Sequence, residues 1–262
     1  MDFSALLFEV RDHVAHITLN RPQAANTLDV DMSMDLMRAA LSCEEDRSVR
    51  AVLLSGAGSA FCAGGDLKAF AAHLDGLPAH IKEVVTYLHT ALSHLTRMNA
   101  PVVTAVHGFA AGAGLSLACA SDLVVAGESA RFTMAYTRAG LTPDGSATHF
   151  LPRVVGLNRA LDLALTNRTL SAQEAMEWGI VSRVVPDAEV HTQAEALATQ
   201  LAAGPTRAFG NVKRLMRTGW TETLETQMAY EADSIAEMTR LADGREGVTA
   251  FVEKRAPHFT GE

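Results

Sequence analysis

Two glycine-rich segments, each placed directly behind an apolar run of β type, constrain this chain more than any other feature. The first is Ser55-Gly-Ala-Gly-Ser-Ala-Phe-Cys-Ala-Gly-Gly-Asp66, which follows Arg50-Ala-Val-Leu-Leu54. The second is His107-Gly-Phe-Ala-Ala-Gly-Ala-Gly114, which follows Pro101-Val-Val-Thr-Ala-Val106. Small residues let backbone N–H groups approach a ligand that a Cβ would hold away. One such turn holds a phosphate or simply reverses the chain. Two of them can set two N–H donors on a single carbonyl oxygen, which stabilises an enolate or a tetrahedral oxyanion. The pair therefore points to chemistry beside a carbonyl group.

Around these turns the pattern alternates between strands and helices. Residues 6–10 and 14–19 flank Arg11-Asp-His13 and predict a β-hairpin. Asp29 is placed to cap a helix whose apolar face is Val30, Met34, Met37 and Leu41. Residues 51–54, 101–106 and 123–126 are short apolar runs that predict buried strands, while 81–98 carries a helical stripe and 112–119 a helix starting on the second turn. From there the spacing predicts helices over 145–155, 159–166, 171–178, 188–203, 205–217, 222–241 and 245–253. The fold class expected is α/β, with a core over residues 1–200 and a helical C-terminal region over 201–262. The break falls at Ala202-Ala-Gly-Pro205. The last helices are amphipathic and too many to lie on one core, so they are expected to cover a neighbouring subunit.

The totals exclude several classes. With 22 basic and 30 acidic residues the net charge is −8, which argues against nucleic acid as the main partner. Cys43, Cys62 and Cys119 are few, odd in number and set among apolar residues, as expected of reduced packing residues in a cytoplasmic protein. The first residues lack a basic region followed by an apolar run, so no signal peptide is expected. No stretch approaches ~18 uninterrupted apolar residues, so no membrane span is expected either. The ten histidines show no helical zinc-site spacing, and no metal is expected.

Several ordered stretches resemble the crotonase family, the enoyl-CoA hydratase/isomerase superfamily. They are Ile17-Thr-Leu-Asn-Arg-Pro22, Ala60-Phe-Cys-Ala-Gly-Gly-Asp-Leu67, the segment from Pro101 to Asp122, Gly140-Leu-Thr-Pro-Asp144, Glu177-Trp-Gly-Ile-Val181 and Ala250-Phe-Val-Glu-Lys-Arg255. The likeness runs from about Leu7 to Arg255. It implies a spiral of ββα units with a C-terminal trimerisation region, a homotrimer or homohexamer, and acyl-CoA thioesters as substrates, with no cofactor beyond the CoA moiety. It places the oxyanion-hole donors on the N–H groups of Gly65 and Ala113. CoA contacts fall on Gln23, Ala24, Ala63, Asp66 and Leu67, largely through the backbone. Phe251 and Lys254 match positions that reach CoA from a neighbouring subunit, where Lys254 would meet a phosphate.

The chain departs from the family's hydratases where it matters. Those place one glutamate after the second glycine turn and another further along; here Ser116 and Tyr136 stand at the matching positions. Neither is a carboxylate base, and adding water across a double bond suits two carboxylates. What remains is Asp144, at a position that carries an aspartate in ring-epoxyphenylacetyl-CoA isomerases, dienoyl-CoA isomerases and 4-chlorobenzoyl-CoA dehalogenases. An isomerase with Asp144 as acid and base is the leading expectation. In the dehalogenase alternative Asp144 attacks an aromatic carbon and His89 activates water. A non-catalytic acyl-CoA-binding protein is the third. Asp144 also reads as a helix N-cap, where the helix would favour its charge while an apolar pocket would oppose it. His89 reads equally as a packing histidine, His94 as a surface one and His107 as bonded to local backbone, while Phe132 and Met134 read as core or pocket wall. Tyr136 and Ser116 are candidates for the substrate pocket, and the loop over 70–78 with the helix after it is expected to shape that pocket.

Overall fold

The computed structural model describes residues 2–262. The expected hairpin is present as β1 (Leu6–Arg11) antiparallel to β2 (Val14–Leu19). Helix α1 (Val30–Glu45) leads to β3 (Ala51–Gly56), and α2 (Leu67–Ala71) and α3 (Leu77–Arg97) lead to β4 (Val102–Val106). Next come β5 (Phe109–Ala111), α4 (Ala113–Ala120), β6 (Leu123–Gly127), β7 (Arg131–Thr133), α5 (Ala147–Val155) and α6 (Leu157–Thr166). Then β8 (Thr169–Ser171), α7 (Ala172–Glu177) and β9 (Arg183–Val185) precede α8 (Val190–Ala202), α9 (Thr206–Thr218), α10 (Leu224–Met238) and α11 (Ala242–Glu253).

The strands form two sheets. The larger has the order β1-β2-β3-β4-β6-β9, parallel from β2 onward, and the smaller has the order β5-β7-β8. The central strands are covered on both faces, which is why they read as unbroken apolar runs. Val52, Leu54, Val102, Val106, Val124 and Ala126 pack into the larger core. Their neighbours Ala51, Leu53, Val103, Ala105 and Val125 pack against Val190, Ala194, Leu197 and Ala198 of α8. A period of two in the strands thus meets the helical spacing of α8.

Local chemistry sets the ends of the helices. The Asp29 side chain accepts from the N–H of Met32 and caps α1 as expected. Ser171 and Glu174 form a reciprocal capping box at the start of α7. Helix α3 starts at Leu77 rather than residue 81, because Pro78 sits in its first turn, where its missing N–H costs nothing. The expectation of helix alone after residue 126 is corrected by β7, β8 and β9. Each is only three residues long, too short for alternation to show.

Helix α9 is tied to the core by charge. Lys213 Nζ lies 2.7 Å from Asp122 and donates to the Ala100 carbonyl at 2.9 Å, and Arg217 lies 3.0 Å from Asp122. Beyond it, α10 and α11 leave Leu224, Met228, Ile235, Val248, Phe251 and Val252 exposed. Among the described residues, no helix is long and apolar enough to cross a membrane.

Candidate active site

The two glycine turns lie side by side. Cys62 N–H donates to Phe109 O and Ala111 N–H donates to Cys62 O, so the turns run as a short paired ladder. Their contact leaves no room for side chains. A Cβ on Gly64 would sit 2.9 Å from the Ala111 carbonyl oxygen, and one on Gly114 would sit 2.2 Å from that of Cys62. Gly64 and Gly112 also adopt φ of 98° and 53°, a region that favours glycine.

Several backbone donors in these turns are used: Gly112 N–H bonds to Thr133 O, Asp66 N–H to Leu28 O and Ala63 N–H to Ala25 O. Among the described residues, the N–H groups of Gly65 and Ala113 have no partner. Both residues line one cavity of about 310 Å³. Unpaired donors of this kind need an acceptor, and a carbonyl oxygen bound in the cavity would supply it.

The cavity wall is mostly apolar. Leu28, Phe70, Ile81, Val84, Val85, Leu88 and Leu141 line it, with Ala63 from the first glycine turn and Leu67 from the start of α2. The loop and helix expected to shape the pocket do so through Phe70 and one face of α3. Polar side chains on the wall come from Thr142, Tyr136 and Asp144, and Asp144 is its one carboxylate.

Asp144 is not a helix cap. Helix α5 begins at Ala147 with Ser146 as its cap residue, so the carboxylate is free of that duty. Tyr136 donates to Asp144 Oδ1 at 2.5 Å. Burial pushes the Asp144 carboxyl above its ordinary value, while the Tyr136 hydrogen bond and nearby His89 oppose the rise. Burial therefore outweighs the neighbours that favour the charge. Burial and the neighbouring Asp144 charge raise the Tyr136 phenol in turn.

Other sequence-derived candidates lie beside the cavity or away from it. Ser116 is fully buried behind the wall, 3.1 Å from the Tyr136 hydroxyl and 3.0 Å from the Asp144 carbonyl oxygen. His89 Nε2 accepts from the Gly145 N–H at 3.1 Å and does not line the wall. Gln23 and Ala24 form a short turn at the edge of the first glycine segment. Phe251 is 85% exposed on α11, and Lys254 follows that helix; neither lines the cavity. Phe132 and Met134 are buried core, and His107 bonds to the Gly58 carbonyl at 3.0 Å. His94 is half-buried and pairs with Glu44. The three cysteines are buried and free, with thiols pushed up to about 12 by burial.

Two residues that hold the first turn are not among the site residues expected from the sequence. Asn26, fully buried with φ of 55°, donates to the carbonyls of Ala57 and Ala60 at 2.8 Å each. Arg21 pairs with Asp29 at 2.9 Å and Asp66 at 3.0 Å. The Asp66 carboxylate also caps α2 through the N–H groups of Lys68 and Ala69. Burial opposes its charge, but these hydrogen bonds hold it below the ordinary value. The acid on the glycine turn is therefore a structural clasp.

Gly65 and Ala113, whose N–H groups have no partner among the described residues, thus share one apolar cavity with the Asp144 carboxylate. The family model described as enoyl-CoA hydratase/isomerase matches residues 9–262, and the chain belongs to that family. The chain is 41% identical to 1,2-epoxyphenylacetyl-CoA isomerase of Escherichia coli (strain K12) over 258 residues, covering 98% of each. It is 36% identical to 4-chlorobenzoyl coenzyme A dehalogenase-2 of Arthrobacter sp over 228 residues, 87% of this chain and 83% of the other. The crystal structure of an enoyl-CoA hydratase from Polaromonas sp. JS666 superposes with a TM-score of 0.94 at 32% identity, over 98% of this chain and all of that one. The crotonase fold expected from the resemblance is thus the fold observed. The three relatives bear the names of three different reactions, so the choice among them rests on the site.

Proposed function

We propose that this chain is a CoA-thioester isomerase that moves a proton, and with it a double bond, next to the thioester. The observation that carries this reading is the single carboxylate of Asp144 on the wall of a cavity shared with the unpaired amides of Gly65 and Ala113. The thioester oxygen binds between those amides, and each such donor lowers the barrier to the oxyanion by about 3 kcal/mol. Asp144 takes a proton from one carbon, the electron pair moves onto the thioester oxygen, and Asp144 returns the proton to another carbon. One group serves in turn as base and acid.

The CoA moiety lies, in this reading, against Gln23, Ala24, Ala63, Asp66 and Leu67, beside the turn that Asn26 and Arg21 hold in place. Phe251 and Lys254 serve the site of a neighbouring copy. Their exposure, and the apolar faces of α10 and α11, support residues 201–262 as the oligomerisation region of a homotrimer or homohexamer. Sedimentation velocity at several protein concentrations tests that assembly.

Hydration is less well supported, because no second carboxylate lines the wall to hold and deprotonate water. Dehalogenation is weaker too. His89 Nε2 already accepts the Gly145 N–H and does not line the wall. The test is a panel of enoyl-, dienoyl- and aryl-CoA thioesters assayed for turnover as well as binding. Double-bond migration is the expected result. Water addition, chloride release from 4-chlorobenzoyl-CoA, or binding without conversion would each displace this reading.

A further inference from the structure

We propose that Tyr136 is the positioning residue for Asp144: its hydroxyl engages Oδ1 and leaves Oδ2 as the atom that takes up and returns the substrate proton. The inference rests on Asp144 being the acid and base. It adds which oxygen acts, and what holds it.

The geometry leaves little choice. A phenol has one proton to give, and Tyr136 points it at Asp144 Oδ1 over 2.5 Å. The phenol oxygen has a second neighbour, Ser116 Oγ, at 3.1 Å. Ser116 is itself fixed: it is fully buried, with the carbonyls of Asp144 and Gly112 at 3.0 and 3.3 Å. It cannot follow Asp144 into the cavity. The chain Ser116, Tyr136, Asp144 is therefore anchored at its buried end, with Oδ2 the oxygen that Tyr136 does not engage. Gly145 gives the network no slack, because a Cβ there would lie 2.9 Å from the Ser116 Cβ.

The same contact sets the strength of the base. Burial favours the neutral acid, and the Tyr136 hydrogen bond is the first of the opposing influences. A donor aimed at one carboxylate oxygen favours the charged form, which is the form that can accept a proton. Without it, Asp144 would hold its proton to higher pH and spend less time as a base. The oxygen that Tyr136 occupies is also the less basic of the two, so the transferred proton resides on Oδ2.

Tyr136→Phe removes the donor and keeps the ring. Asp144 is followed without substrate, by ¹³C NMR of aspartate-labelled protein with D144N to assign its resonance. The acid limb of kcat/KM is recorded on any thioester that the wild type turns over. Both should move upward by about one to two pH units, the usual worth of a hydrogen bond to a charged group. Ser116→Ala, which leaves the Tyr136 to Asp144 bond in place, should move them less. If Y136F does not fold, 3-fluorotyrosine at the three tyrosines makes a stronger donor and should move both readouts downward. An unmoved Asp144 titration in the phenylalanine or fluorotyrosine protein overturns the proposal. Since that titration needs no turnover, it stays informative even if D144N proves fully active and the isomerase reading falls.

Discussion

Gly114, on the first turn of α4, packs directly onto the backbone of Cys62, so that a Cβ on it would fall 2.2 Å from the Cys62 carbonyl oxygen. That oxygen already accepts the N–H of Ala111 at 2.9 Å. The contact sets the spacing of the two glycine turns, and hence of Gly65 and Ala113. Gly114→Ala should lower unfolding stability by about 1–3 kcal/mol, the usual cost of overpacking. It should also reduce kcat/KM more than thioester binding, since donors displaced from the oxyanion lose what they offer to the transition state. Urea unfolding and steady-state kinetics check both; a fully active, fully stable variant contradicts the packing described.

Asp144 gives the site a pH signature with a definite sign. Its carboxyl is raised by burial, so the folded chain binds a proton there at pH values where the unfolded chain has lost it. Stability from this group falls as pH rises from the ordinary aspartate value to the raised one, and the deficit persists above. D144N should therefore gain stability relative to the wild type across that window. The acid limb of wild-type kcat/KM should lie above the ordinary aspartate range, because the base must be ionised. Thermal unfolding of both proteins at a series of pH values, beside the rate profile, measures the two effects.

The charge cluster under α9 should be sensitive to loss of its acid. Lys213 is buried, and burial pushes its ammonium below the ordinary value although Asp122 opposes the change. Asp122 also accepts the Val102 N–H at 2.8 Å. Asp122→Asn leaves Lys213 without its counter-charge and should cost about 3 kcal/mol or more. Lys213→Met leaves Asp122 paired with Arg217 and should cost less. Denaturant unfolding of the two variants ranks them, and the reverse order would contradict this assignment.

What could be read in advance depended on the reach of each signal. Asp29 caps α1 through Met32, three residues on, and was legible for that reason. The central strands were legible as apolar runs because both of their faces are covered. The clasp that Asn26 and Arg21 make on the first turn was not, since Ala57 lies 31 residues from Asn26 and Asp66 lies 45 from Arg21, and they become neighbours only on folding. The three-residue strands β7, β8 and β9 are too brief for any period. Asp144 stood out by its likeness to known isomerases, but a carboxyl beside proline and before a helix looks like a cap. Only the fold places Ser146 in that role and turns Asp144 toward the cavity.

The most direct measurement is exchange of solvent deuterium into the acyl carbons of an enoyl-CoA, followed by NMR with wild type and D144N side by side. Thioester binding is measured on the same samples by calorimetry. Loss of about a hundredfold or more in exchange, with binding kept within a few-fold, is the outcome expected if one carboxylate moves the proton beneath the paired amides. Exchange in D144N at the wild-type rate would show that another group does the work.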